Sequence, residues 1–101
     1  MTPEDRALCD RVAREVMGWI ESPAGTWHRG GFDRYTWDPF HDDRDFGLLL
    51  DRCAERWDYV DMLFHEREWS CAVGGHASAS DPDRRRALVL AALAAAEAER
   101  D

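Results

Sequence analysis

At Trp57 the hydrophobic period of this chain changes, and that switch constrains the fold more than any other feature. Before it, Phe46, Leu49, Leu50, Cys53, Ala54 and Trp57 recur at three- and four-residue spacing, the pattern of a helix with one apolar face. After it, Val60, Met62 and Phe64 alternate with Tyr59, Asp61, Leu63 and His65, the pattern of a strand. Glu66-Arg67-Glu68 then breaks the run with polar residues, and Trp69 to Val73 alternates again before Gly74-Gly75 ends it. An antiparallel hairpin is the economical connection between two such runs.

The flanking segments carry helix signals. Thr2-Pro3-Glu4-Asp5 offers a capping hydroxyl, a proline suited to the first helical position and carboxylates at the positive end of the dipole. Leu8, Val12, Val16 and Ile20 follow at four-residue intervals, which predicts a helix from Pro3 to between Gly18 and Glu21. Asp81-Pro82-Asp83 repeats the start signal, ahead of an Ala-rich helix through Ala87, Leu88, Leu90, Ala91, Leu93 and Ala95 that frays from Glu97. Between the first two helices, Pro23, Gly25, Gly30 and Gly31 read as an exposed loop from Ser22 to Asp33. Arg34 to Trp37 reads as a short strand closed by Pro39, and His76 to Ser80 as a small polar connection. The expected fold is α+β: an α/β/α sandwich with a small three-stranded antiparallel sheet, elements in the order α-β-α-β-β-α, in one domain over residues 1–101.

Charge narrows the function. Twenty-one acidic residues face 13 arginines and no lysine, a formal net charge of −8. Affinity for nucleic acid comes from clustered cations that release counterions, so direct nucleic-acid binding is not expected. An acidic surface suits a basic partner, including a protein surface that normally holds nucleic acid. Cys9, Cys53 and Cys71 are odd in number and widely spaced, which fits free thiols in a reducing cytoplasm rather than a disulfide framework. The N-terminus lacks an export-type pattern, and no run of apolar residues is long enough to span a bilayer, so no membrane association is expected.

Val12-Ala13-Arg14-Glu15-Val16-Met17-Gly18-Trp19 resembles the opening signature of the phage ABA sandwich domain family, small phage and prophage proteins. Trp37-Asp38-Pro39-Phe40 and the closing run Arg86 to Ala95 extend the resemblance over nearly the whole chain. The family often places Ser or Thr after the proline, where this chain has Phe40-His41-Asp42-Asp43, and a basic residue after the Ala-Leu run, which is missing here. The resemblance implies an α/β/α sandwich of phage origin acting in the host cytoplasm, and it transfers no active site.

No Ser-His-Asp, Cys-His, phosphate-loop or paired-carboxylate motif stands at diagnostic spacing, so binding is favoured over catalysis. His28, His41, His65 and His76 and the cysteines lack zinc-site spacings, and no metal or cofactor is expected. The first candidate is an acidic protein-binding cluster of Asp38, Asp42, Asp43 and Asp45, for a host or phage protein and with blunting of host defence as its purpose; helix capping explains part of the same cluster. The alternative is a nucleotide-like small molecule held by Trp27, Arg29, Trp37, Arg84, Arg85 and Arg86. Trp19 would complete an aromatic floor with Trp27 and Trp37, while for the three arginines pairing with the acidic cluster is the favoured reading. Homo-oligomerisation stays open.

Overall fold

The computed structural model describes residues 2–23, 26–29, 32–34, 37–75 and 77–100, and for residues 29 and 32–34 the backbone alone. In chain order the described elements are α1 (Pro3–Glu15), β1 (Ile20–Glu21), β2 (Trp27–Arg29), β3 (Phe32–Arg34), α2 (Asp43–Trp57), β4 (Val60–His65), β5 (Glu68–Val73), β6 (Ala77–Asp81) and α3 (Arg84–Arg100). They form two antiparallel sheets, β1-β2-β3 and β4-β5-β6. The α+β class is borne out, with three helices and two small antiparallel sheets.

The helices begin where their caps stand. Thr2 Oγ1 accepts the Asp5 N–H at 3.1 Å, and Asp42 caps α2 by accepting the Asp45 N–H at 3.0 Å. Asp83 Oδ1 accepts both the Arg85 and Arg86 N–H groups, which supplies the negative charge that three arginines in a first turn would otherwise lack. The first helix ends earlier than expected. Gly18, at φ +75°, takes a left-handed conformation, and the Trp19 N–H returns to the Ala13 carbonyl at 2.9 Å, so Ile20 leaves the helical stripe for β1.

α3 is apolar around most of its circumference: Ala87, Leu88, Val89, Ala91, Ala92, Leu93, Ala95 and Ala96 are all buried. A helix of that kind must be enclosed. It packs on β5 and β6 with one side and on α1 with another, while α2 covers β4 and β5 beside it. Cys71, Val73, Ala77 and the half-buried Val60, Met62, Trp69 and Ala79 supply the sheet's share of the core. Asp61, Leu63, His65, Ser70, Ser78 and Ser80, on the alternate positions, are exposed. Helical cover therefore lies on one face of this sheet. α1 spends its apolar stripe on α3 instead of on the sheet's second face.

Three local expectations are corrected. The stretch from Ser22 to Asp33, read as a loop, contains β2 and the start of β3, paired with Trp27 opposite Arg34 and Arg29 opposite Phe32. The strand expected over Arg34 to Trp37 is β3, two residues earlier; Tyr35 and Thr36 lie outside the described residues. His76 to Ser80, read as a connection, is mostly β6, the third strand of the main sheet; His76 itself lies outside the described residues. Its alternation was hidden because Ala77 and Ala79, the inward residues, are as small as the Ala-rich helix they meet.

The β4–β5 turn fixes the register of the sheet. His65 pairs with Glu68, leaving Glu66 and Arg67 as a two-residue loop at φ 52° and 65°. Left-handed pairs of this type favour Asn-Gly, and each ordinary side chain there costs on the order of 1 kcal/mol. Gly74, at φ +69°, is constrained from the other side, since a Cβ there would stand 3.2 Å from Trp57 Cβ. Replacing Glu66-Arg67 by Asn-Gly is expected to raise stability by about 1 kcal/mol, read as a higher urea midpoint at unchanged slope.

Candidate functional site

The acidic cluster expected between β3 and α2 is engaged locally, though only Asp45 is buried. Asp45 is 3% exposed, and its Oδ2 accepts the Asp38 N–H at 2.9 Å. Asp38 Oδ1 accepts the N–H groups of Phe40 and His41, both at 3.1 Å, and its carboxylate meets His41 Nδ1 at 3.0 Å. Asp42 is the α2 cap, and Asp43 is ion-paired with Arg85 across the α2–α3 junction. Four carboxylates close in sequence thus order a turn and start a helix, with Asp42 and Asp43 exposed and Asp45 turned inward. Pairing between the arginine run and this cluster, the favoured reading of Arg84 to Arg86, is realised at Arg85.

The alternative ligand set is dispersed as well. Trp27 and Trp37 are 4% and 2% exposed, so neither offers a ring face for stacking. Trp37 Nε1 donates to the Cys9 carbonyl at 3.0 Å, and its ring meets Trp19 edge-on at 4.7 Å between centroids. Trp27, the aromatic hardest to place from the sequence, is a core residue with the Arg14 guanidinium 5.8 Å above it. Arg29 lies in β2, and its side chain is outside the described part of the structure. Arg86 is held by Glu4 and Asp5 of α1, each at 2.6 Å, and by Asp81 at 3.3 Å. Arg84 rests on rings of the protein itself, 5.2 Å from Phe46 and 5.9 Å from Trp69. A recess of about 150 Å³ between Trp57, Val73, Ala77 and Ala95 is smaller than the roughly 300 Å³ at which ligand sites begin.

Further cations are engaged internally. Arg56 Nη1 donates to the Glu15 and Val16 carbonyls at 2.8 and 3.1 Å, closing the end of α1, while its Nη2 meets Glu99 of α3 at 2.5 Å. Trp57 Nε1 donates to the other Glu99 oxygen at 2.6 Å. The Arg56 bond, ahead of opposing desolvation and with help from Trp57, holds Glu99 below the usual carboxyl range. Arg52 donates to the Val16 carbonyl at 3.2 Å. Burial would raise the Glu15 carboxyl, but Arg11 and Arg100 together outweigh it and hold the group low.

What remains is a row of carboxylates that the sequence reading passed over. Asp51 and Glu55 stand one turn apart on the solvent side of α2 and Asp58 is its left-handed C-cap; all three are exposed, and none has an ion pair or side-chain hydrogen bond among the described residues. Asp61, exposed at the start of β4, lies on the sheet's open face, away from α2, and accepts the Tyr59 hydroxyl at 3.4 Å. Arg44, two turns before Asp51, bounds the row at its other end. The signal that would have found it is the polar half of the same helical period that revealed the apolar half.

Nucleophilic chemistry finds little support in the thiols. Burial pushes Cys9 and Cys53 up to about 12 and Cys71 up to about 11, with Asp38 adding to the first and Asp61 to the third. Among the described residues no three His, Cys, Asp or Glu side chains gather as a metal site, and no helix is long and apolar enough to cross a membrane. No family model, curated protein or solved structure matches this chain.

Two outcomes follow from this geometry. Asp42→Ala is expected to cost about 1 kcal/mol through loss of the α2 cap, measured by chemical denaturation. The three thiols are expected to stay unreactive toward a disulfide reagent at pH 8 in the native protein and to react together once urea unfolds it.

Proposed function

We propose that this protein works by binding, not catalysis, and that its target is a basic protein surface docked against the solvent side of α2. The observation that carries this reading is the row Asp51, Glu55 and Asp58: exposed and unpaired, on a molecule whose Arg11, Arg14, Arg56, Arg85, Arg86 and Arg100 are all bound in internal ion pairs. Asp51 and Glu55 are separated by about 6 Å along the helix axis, which sets two charges in line on a rigid element. A surface that normally accepts a phosphate backbone is the class of partner such a row suits. The resemblance of Val12 to Trp19 to the phage ABA sandwich family supports a phage or prophage accessory role in the bacterial cytoplasm, with a host or phage protein as target. Interference with a host defence is one use of such docking.

The nucleotide reading loses its stacking residues, since Trp27 and Trp37 are enclosed, and its charges, since Arg85 and Arg86 are paired. It is therefore set below protein binding.

The test is affinity capture from bacterial lysate with the wild type, with Asp51→Arg/Glu55→Arg/Asp58→Arg, and with Asp42→Arg/Asp43→Arg. The α2 triple variant is expected to weaken the captured interaction at least about tenfold, a loss of ~1.4 kcal/mol, and the wild-type complex to dissociate as salt rises. Capture that survives the triple reversal and fails with the Asp42/Asp43 pair would return the site to the cluster before α2.

A further inference from the structure

The main sheet has two edges of unlike character. β6 (Ala77–Asp81) is built from alanine and serine and ends in Asp81. β4 (Val60–His65) carries large apolar side chains into solvent: Leu63 is 62% and Phe64 54% exposed, with Tyr59 beside them at 47%. β4 contains no proline or lysine and, among the described residues, pairs on one side only, with β5. Edges left in that state are templates for another strand.

Which main-chain groups point outward follows from one hydrogen bond. The Gly74 N–H donates to the Tyr59 carbonyl at 3.0 Å, continuing the register in which Val60 faces Val73. Antiparallel ladders alternate, so Asp61, Leu63 and His65 share the orientation of Tyr59 toward β5. The N–H and C=O groups of Val60, Met62 and Phe64 therefore face the free edge. We infer that this edge is completed by β4 of a second copy, paired antiparallel with Leu63 opposite Leu63 of the partner.

Two central registers use the outward groups on both strands. Centring on Met62 would oppose Asp61 to the partner's Leu63, a carboxylate against an apolar chain, and would leave His65 beyond the pairing. Centring on Leu63 opposes Asp61 to the partner's His65 at both ends, so that an imidazole meets a carboxylate twice. Leucine meets leucine between them on the open face, and Met62 meets the partner's Phe64 on the helix-covered face. The sequence Asp61-Met62-Leu63-Phe64-His65 is thus self-complementary in that register alone of the two, in charge and in apolar contact. Met62 and Phe64 form the hydrogen-bonded pairs, and the twofold axis passes between the leucines. The product is a six-stranded sheet with helices on one side, within the usual range of strand number.

This surface is separate from the acidic side of α2, and salt separates the two associations. Each copy carries a formal −8, so screening favours self-association, whereas it weakens docking of a basic partner.

Sedimentation velocity over a concentration series in moderate salt, on the full chain, tests the inference together with cross-linking. The wild type is expected to reach the mass of a dimer, and Leu63→Arg, which opposes two like charges at the twofold axis, to stay monomeric with unchanged circular dichroism. Leu63→Cys is expected to form a disulfide-linked dimer under mild oxidation, because residues facing each other in a non-hydrogen-bonded pair stand at disulfide distance. Ser70→Cys, exposed on the same face but on the inner strand β5, is expected to remain monomeric on a denaturing gel; the native thiols are buried and contribute no background. A wild type that is monomeric throughout, a dimer that persists in Leu63→Arg, or equal cross-linking of the two cysteine variants would overturn the proposal.

Discussion

The structure depends on enclosing α3. Its buried alanines and leucines cannot be left in water on any side, and each neighbouring element is placed by the need to cover one strip of that helix. β5 and β6 cover one side with small inward residues, which allow the backbone of an Ala-rich helix to approach closely. α1 covers another with Cys9, Val12 and Val16, all without solvent exposure. Because α1 is committed there, the second face of the main sheet has no helix to cover it. The open face and the bare β4 edge are consequences of the same commitment.

Electrostatics follows the packing. The three helices meet at their ends, and arginines tie those ends together: Arg86 joins the first turns of α3 and α1, while Arg56 joins α2 to the last turn of α1 and to Glu99. Arginine suits these joints because its planar fork serves a carbonyl and a carboxylate at once. Spending cations on joints leaves carboxylates over, and on a chain with eight more acidic than basic residues the surplus appears where no joint is needed. The outward side of α2 is such a place. A surface charge of this kind contributes little to stability, so its value lies in what approaches it.

Much of the fold was legible in the sequence, and the reasons for the remainder are specific. The change of period at Trp57 located α2, β4 and β5, and the Thr2-Pro3 and Asp81-Pro82-Asp83 signals located α1 and α3. β6 was missed because its inward residues are alanines, whose small side chains give hydrophobic alternation almost no amplitude. β2 is hard to read because its three residues, Trp27 to Arg29, stand in a stretch crowded with proline and glycine signals. The candidate site was less legible than the fold. Proximity in sequence made Asp38, Asp42, Asp43 and Asp45 look like one surface, yet a turn directs Asp45 inward and assigns the others to caps and a pair. Asp51 and Glu55 lie one helical turn apart with Asp58 at the helix cap beyond them, and they become a surface only when the helix period is applied to polar residues as well. Trp27 shows the converse, an aromatic in a glycine-rich segment that nonetheless belongs to the core.

The most direct measurement of the central claim is amide hydrogen exchange, followed by mass spectrometry, on the free protein and on the salt-sensitive complex recovered by capture. New protection is expected over residues 48–58, the second half of α2 and its cap, with residues 37–43 unchanged. Protection confined to residues 37–43, or to the arginine run at 84–86, would contradict it.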